Sequence, residues 1–466
     1  MKVVLINPDF ESRCAQPPLG LLSIASYIQQ QNDANVSIVD ANALKLSHEQ
    51  IIYRLAQTDV AGVTCMTPHA NKALNLVRDI KAAMPDLPII VGGPHMTVVP
   101  EATMRVCPEI DYGVAGEGER TFSELLSMLE GGKTVENIHG IWYRVNDQIL
   151  HTAPREHIKD LNALPFPAYE LLPKPIKKHY HPYPPHGREL PAMTMVTTRG
   201  CPNRCLFCSR NVWGKTYHMF SPEYVYNHVK YLVEKLGVKY VQFYDDTFTA
   251  NKKRTLEICK LLEEIHVPWS CETRVNTIDE EVVSAMSRAG CVLTAFGVES
   301  GSQRVLDVLQ KDITLEQSAE AARLCDKYGI ESVAYMMLGC PTETREEIIQ
   351  SMRFVNSHPF DFVQWSVCTP YLGTELYNQA KTQGADLPET WDDWVYVNLG
   401  SVKREAPPMI ATDLFTPEEL QKLQVQGYKS FYIRPGYVWR RFKKSFTWSG
   451  LKTNLSGAKM LLEALA

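Results

Sequence analysis

Along residues 1–135, short unbroken apolar runs alternate with stretches in which apolar positions return every three or four residues. The runs are "KVVLINP", "VSIVDAN", "VAGVTCMT", "PIIVGG" and the start of "YGVAGEGERTFSELLSMLEGG". Between them lie "LGLLSIASYIQQQ", "SHEQIIYRLAQ" and "NKALNLVRDIKAAM". The first pattern predicts strands and the second amphipathic helices. Ser47 with Gln50 three residues on predicts a reciprocally capped helix start. Strands that are apolar throughout and alternate with helices predict a parallel sheet covered on both faces. Ligands of such sheets bind beyond the carboxyl ends of the strands.

Residues 136–190 change character. "GIWYRVNDQILHTAP" reads as a hairpin about an Asn-Asp turn, and "LNALPFPAYELLPKPIKKHYHPYPPHG" as a Pro-rich linker. Over 191–382 a second β/α series predicts six strands: "AMTMVTT", "YVQFYDD", "WSCETRV", "VLTAFGVES", "SVAYMMLG" and "FVQWSVCTP". Six repeats fall short of the eight in a closed barrel, so a partial barrel with an open side is expected. Residues 383–466 lose the rhythm and predict a mostly helical, basic and aromatic region. It has no acid between Glu419 and Glu463, while Lys429, Arg434, Arg440, Arg441, Lys443 and Lys444 interleave with Phe431, Tyr437, Trp439 and Phe442. Such a segment touches an anionic membrane surface, holds an anionic substrate, or packs its aromatics on the barrel and solvates its charges. Pro435 and several glycines interrupt a continuous amphipathic helix, which favours packing.

Composition narrows the class. The chain has 466 residues, 45% hydrophobic and 22% charged, which suits two or three ordinary domains and no fibre or disordered tail. A formal net charge of −5 argues against a general nucleic-acid binder. No stretch approaches the roughly 18 apolar residues of a membrane span, and "MKVVLINPDF" reads as a strand, not a secretion signal. A cytoplasmic protein is expected, with its 12 cysteines as reduced thiols or metal ligands. Most single cysteines, such as Cys65, Cys259 and Cys325, are expected to be small buried hydrophobes.

One cluster stands out. In "TTRGCPNRCLFCSR", Cys201, Cys205 and Cys208 have the spacing C-x3-C-x2-C and follow the first strand of the second series. Thiolates in this density suit zinc or iron–sulfur. Zinc would take a fourth Cys or His nearby; His218 is the nearest downstream, and no second C-x2-C pair exists. A [4Fe–4S] cube held by three Cys leaves one iron open to a small molecule.

C-x3-C-x2-C at the end of a first barrel strand resembles the signature of the radical S-adenosylmethionine (SAM) enzymes. The resemblance implies that Cys201, Cys205 and Cys208 hold a [4Fe–4S] cluster whose open iron chelates SAM. One electron then cleaves SAM to a 5′-deoxyadenosyl radical that abstracts hydrogen. It places Phe207, Asp245 or Asp246, Arg274, Glu299, Tyr335 and Gly339 at the SAM site. Arg274 would pair with the SAM carboxylate, an aspartate with the ammonium, and Glu299 with the ribose hydroxyls or amino group. "YMMLGCP" would form the turn against adenine.

The first 135 residues resemble the Rossmann-like cobalamin-binding domain attached to one branch of that family. "VDAN", "GVTCMT", "VGGPHMTVVPE" and "GVAGEGERTFSELL" are similar to its strand-end elements, implying cobalamin contacts from Asp40, Asn42, Thr64, Thr67, Gly92, Gly93, His95 and Glu117. The pattern departs in one respect: D-x-H-x-x-G, whose His would ligate cobalt, is missing, and Asp40-Ala41-Asn42 stands there instead. His48 reads as a solvated helix-start residue and His95 as a loop contact, so base-off cobalamin without a His ligand is expected.

This branch contains carbon methylases and the anaerobic magnesium-protoporphyrin monomethyl ester cyclase. It implies methylation of an unactivated carbon through methylcobalamin, with radical oxidative cyclisation or rearrangement as the alternative. A cobalamin-binding sensor with a structural cluster is the reading from another class. An anaerobic enzyme is implied, with a flavodoxin- or ferredoxin-type reductant and a small-molecule, lipid, tetrapyrrole or peptide substrate.

Overall fold

The computed structural model describes residues 1–10, 15–132, 134–181, 189–385, 387, 391 and 414–444. The chain forms two compact units. The first comprises Met1–Tyr180 with Arg210–Met219 and Glu389–Trp394. The second comprises His181–Ser209, Phe220–Pro388 and Val395–Ala466.

In the first unit, strands β1 (Lys2–Asn7), β2 (Asn35–Asp40), β3 (Val60–Thr64), β4 (Ile89–Gly92) and β5 (Tyr112–Val114) are parallel. β6 (Ile141–Val145) and β7 (Gln148–His151) follow antiparallel, giving the order β2-β1-β3-β4-β5-β6-β7. β1 shows why the apolar runs are continuous. Val3 and Leu5 enter one apolar cluster, and Val4 and Ile6 enter another, so successive side chains serve opposite faces. Each such side chain contributes about 1.5–3 kcal/mol by leaving water. Ser47 and Gln50 form the expected reciprocal cap of helix His48–Arg54. Asn146 and Asp147 take φ of 46° and 63°, the left-handed pair of a tight hairpin turn.

The hairpin therefore completes the first sheet, and the Pro-rich stretch behind it is also built into this unit. Tyr169 and Tyr180 are fully buried, and the Ala168 N–H donates to the Leu22 carbonyl at 3.1 Å. Irregular backbone satisfied by short turns has no period to read, so a stretch expected to be a linker supplies core anchors to this unit.

The second unit carries six parallel strands: β8 (Ala192–Met195), β9 (Tyr240–Phe243), β10 (Trp269–Thr273), β11 (Cys291–Glu299), β12 (Glu331–Leu338) and β13 (Phe362–Val367). They lie side by side in chain order, with β8 and β13 as the open edges. Helices such as Pro222–Leu236, capped by Ser221 and ended at Gly237 (φ 65°), return the chain between strands. In the C-terminal region, helix Pro417–Tyr432 lies on β13, where Gln424 donates to the Trp365 carbonyl at 2.7 Å. Arg441 pairs with Glu331 at 2.8 Å, and Arg434 sits 4.3 Å over the Phe431 ring. Arg441 thus reaches the sheet at Glu331, Arg434 donates to the Asn356 carbonyl of the helix Arg345–Ser357, and Trp439 is exposed. Lys452, Lys459, Phe446 and Trp448 lie outside the described residues. Among the described residues no helix is long and apolar enough to cross a membrane.

Candidate active site

The second unit's carboxyl edge is built around the cysteine loop. β8 leads through Thr197 and Thr198 to Gly200, whose φ of 85° turns the chain into the loop. Buried Asp245, after β9, fastens that root: it accepts from the Thr197 N–H at 2.8 Å, Thr197 Oγ1 at 3.0 Å and Thr198 Oγ1 at 2.6 Å. Arg254 holds it from the other side by donating to the Thr197 and Phe220 carbonyls. Between the second and third cysteines, Leu206 plugs into a core of Val305, Leu309, Met337 and Leu376, which sets the loop's depth.

Cys201 and Cys205 are buried and Cys208 is half-buried. Asn203 Nδ2 donates to Cys201 Sγ at 3.1 Å, and Arg274 Nη1 to Cys205 Sγ at 3.2 Å. Burial, with the charges of Asp246, Cys205 and Cys201, pushes the Cys208 thiol up to about 12, while Lys311 opposes the rise. A thiol held that high becomes a thiolate at neutral pH when a bound metal takes its charge. Among the described residues no three His, Cys, Asp or Glu side chains converge on one metal ion. A cube that takes one thiolate per iron asks for no such convergence. The donor set fits the cluster.

The two aspartates separate as strand geometry requires. Asp245 is consumed by the loop root, whereas Asp246 is exposed to the solvent of the mouth. Its carboxylate is nevertheless walled by protein, and this burial, then the Asp245 charge, raises its pKa. Arg274 is buried, with its fork divided between Cys205 Sγ and the Lys311 carbonyl and its Nε on Asn276 Oδ1 at 3.3 Å. Glu299 has φ 64° and accepts from Lys311 Nζ at 2.6 Å. Half-buried Phe207 lies 5.7 Å from the same Nζ. Tyr335 Oη donates to Glu272 Oε1 at 3.0 Å. Gly339 has φ 73°, and a Cβ there would fall 2.8 Å from Leu420.

Sequence reasoning missed Glu272, Lys311 and Glu343. Glu272 shares its strand face with Arg274 two residues on, a signal that the period of β10 offered. Burial pushes its carboxyl up to about 7, aided by Asp246 and Asp245 and opposed by the Tyr335 bond. Glu343 is fully buried in the turn after β12 and accepts from the Cys340 N–H at 3.1 Å; burial pushes it to about 7 as well. Lys311 lies in a tight turn between helices, where no periodicity marks it.

The first unit's carboxyl edge is arranged differently. Its strand order reverses direction between β1 and β3, the place where open α/β sheets bind ligands. Asp40 and Asn42 lie beyond β2, across β1 from that crevice, and serve the fold. Asp40 accepts from Asn7 Nδ2 at 2.8 Å, Tyr180 Oη at 2.7 Å and the Ala43 N–H at 3.1 Å; burial raises its pKa against those bonds. Asn42 Oδ1 accepts from the Phe10 N–H at 3.3 Å. Glu117 accepts from the Ile158 N–H at 2.7 Å, with His157 at 3.4 Å. His48 is exposed and bonded to Asp79 at 2.6 Å.

The remaining expected residues meet. Gly93 has φ 99°, and a Cβ on it would fall 2.8 Å from the Cys65 carbonyl and 2.9 Å from Thr64 Oγ1. Gly92 beside it leaves ordinary van der Waals room for a side chain. His95 is fully buried, 3.3 Å from Thr67 Oγ1, with Trp391 edge-on at 4.4 Å. Its Nε2 has no hydrogen-bond partner among the described residues, and burial lowers its pKa to about 4, so the ring is neutral. Phe10 and His69, from the loops after β1 and β3, stack at 4.9 Å. A glycine cradle and an unsatisfied buried imidazole nitrogen fit a large, mostly uncharged ligand such as cobalamin.

Two family models match the chain: the radical SAM superfamily over residues 195–355 and the B12 binding domain over residues 11–126. An uncharacterized methyltransferase of Pyrococcus horikoshii is 34% identical over 446 residues, covering 93% of each chain. The anaerobic magnesium-protoporphyrin IX monomethyl ester cyclase of Rubrivivax gelatinosus is 26% identical, covering 95% of this chain and 80% of its own. The solved structure of the cobalamin-dependent SAM radical enzyme OxsB, with aqua-cobalamin and SAM bound, superposes with a TM-score of 0.73 at 18% identity. That match covers 86% of this chain and 65% of the other.

Proposed function

Because the chain belongs to the radical SAM enzymes that carry a cobalamin-binding domain, we propose that it transfers a methyl group from SAM to an unactivated carbon. The observation that carries this is one chain holding both parts: a three-cysteine loop at a strand-end mouth, and a Gly93-centred cradle at a second one. The cluster and cobalamin supply reducing electrons, radical generation and a methyl carrier. The protein's own residues bind, orient and keep water out.

At the cluster, Asp246 is the carboxylate open to the SAM ammonium, and Asp245 fixes the loop from below. Arg274 stands next to Cys205, so shifting one donor from sulfur to the SAM carboxylate needs no new residue. Tyr335 and Glu272 form a hydrogen-bonded wall, and the turn at Gly339, tied by Glu343, presents backbone to the adenine. In the first unit, Gly93, Thr64, Thr67 and His95 form the bed for the cobalamin tail. Neutral, buried His95 under Trp391 is a donor or acceptor to that tail and not a cobalt ligand. The electron donor is of the flavodoxin or ferredoxin class, and the substrate is a small molecule, a tetrapyrrole among the candidates.

The test is mass spectrometry of the product formed from cell extract with deuterated-methyl SAM under anaerobic, reducing conditions. A product heavier by the labelled methyl is expected. The likeness to the cyclase over 95% of the chain favours a second reading, oxidative ring closure. That reading predicts 5′-deoxyadenosine without label in the product. Absence of 5′-deoxyadenosine would leave only a sensor.

A further inference from the structure

One buried cation beside the cysteine loop is not accounted for by SAM binding. Lys311 sits in the turn between helices Gln303–Val308 and Leu315–Tyr328. Gln310 and Asp312 on either side take φ of 51° and 53°, so the backbone accepts two unfavourable left-handed residues around it. Its Nζ is 2.6 Å from Glu299 Oε1, with the two side chains 6% and 8% exposed. The same Nζ is 5.7 Å from the ring of Phe207, which lies between Cys205 and Cys208. Its carbonyl receives Arg274 Nη2, and Arg274 Nη1 reaches Cys205 Sγ. A cation thus faces the loop in a place from which water is excluded.

Gly297 shows how closely the sheet is fitted to this pair. A Cβ at that position would fall 2.4 Å from Glu299 Oε1 and 2.5 Å from Lys311 Nζ. β11 passes under the ion pair without a side chain. A buried ion pair is a poor source of stability, since apolar residues of the same volume commonly serve as well or better. An ion pair placed at the loop in spite of that points to a use for the charge itself.

We propose that Lys311 is the fixed counter-charge of the iron–sulfur cluster, holding its reduction potential up, and that Glu299 tempers that charge. Reduction adds one negative charge to a cluster already bound by three thiolates. A nearby cation at low dielectric stabilises the reduced form more than the oxidised one. Lys311 is therefore a positioning residue, acting through the cluster. This inference rests on the reading that Cys201, Cys205 and Cys208 hold a [4Fe–4S] cluster.

The test is a redox titration of the anaerobically reconstituted full chain, following the reduced cluster by electron paramagnetic resonance. Iron is counted in each sample. Lys311→Met is expected to keep its iron and titrate at a more negative potential than wild type, with Lys311→Arg close to wild type. Glu299→Gln, which removes the opposing charge, is expected to move the potential the other way. A pair that only braces the loop would give no such opposite shifts. Unchanged potentials in both variants overturn the proposal, as do shifts of the same sign. Loss of iron from both also overturns it, because the pair would then be holding the loop. A wild-type chain that binds no cluster would sink the functional reading itself, and the iron count separates that result from the others.

Discussion

The two strand-end edges use polar residues in opposite ways. In the first unit, the carboxylates near the edge are spent on the protein: Asp40 on Asn7, Tyr180 and Ala43, and Glu117 on Ile158. What remains for a ligand is shape, from Gly93 and its neighbours, and one neutral imidazole. In the second unit, Asp246, Glu272, Arg274, Glu299 and Lys311 are gathered at the edge that carries the three thiols, and several of them have shifted pKa values or are paired with one another or with a thiol. The difference follows from the ligands. Cobalamin is large and offers many contacts, so a fitted cradle suffices. A charged cluster and a zwitterionic sulfonium demand placed charges.

The sharpest way to break the contrast is to remove the thiols. Replacing Cys201, Cys205 and Cys208 together with Ala is expected to abolish iron binding, from about four irons per chain to none. Cobalamin binding should persist, because the cradle lies in the other unit. Iron retained at full stoichiometry would move the cluster to other cysteines. The reciprocal experiment is Gly93→Ala. An L-residue at φ 99° costs about 1–3 kcal/mol, and its Cβ would meet the Cys65 carbonyl at 2.8 Å. Cobalamin retention should fall sharply with the iron count intact. Equal loss of both cofactors would show that the edges are not independent.

These experiments also bear on what the chain's pattern could reveal. The parallel strands of the two large sheets were legible, because two-faced burial leaves runs such as "VVLIN" that few other structures produce, and the hairpin was legible from its turn; the short pairing of Thr198–Arg199 with His218–Met219 was not. The cysteine loop was legible because three thiols at fixed spacing have few chemical uses. Glu272 and Lys311 were not, since their roles arise from neighbours distant in sequence, as Glu299 does to Lys311. Asp40 is the converse case. It stands at a strand end, the right place for a ligand, yet Tyr180 takes it up from 140 positions away. A strand-end acid is visible in sequence; whether the fold has already used it is not.

Arg274 sharpens the comparison further, since it touches a thiol and carries a cationic fork suited to bind a carboxylate. In Arg274→Lys a single ammonium cannot divide itself between Cys205 Sγ and the Lys311 carbonyl as the planar fork does. Losing one charge-assisted bond to the SAM carboxylate costs about 2 kcal/mol, or roughly thirtyfold in affinity. The expected result is SAM binding weakened by that factor, little 5′-deoxyadenosine, and unchanged iron and cobalamin. Wild-type SAM affinity with readily lost iron would instead make Arg274 a brace for the loop alone.

The smallest expected effect concerns protons. Glu272 ordinarily titrates at 4.5, but burial lifts it to about 7 in the folded chain. Between those values the folded state binds more protons than the unfolded state, so its stability falls as pH rises from about 4.5 to about 7 and levels off above. Glu272→Gln should flatten that part of the profile in thermal melts taken across the range. Ligand binding offers a second readout. A SAM cation brought near the carboxylate favours its charged form and lowers its pKa. At pH 6.5, SAM binding to the cluster-loaded protein should therefore release a fraction of a proton. Calorimetry in two buffers of different ionisation enthalpy would measure it. The release should vanish in Glu272→Gln while affinity changes little, because Asp246, the carboxylate proposed for the ammonium, is untouched. Release undiminished in that variant would assign the proton to another group at the mouth, with Asp246, whose pKa burial also raises, next in line.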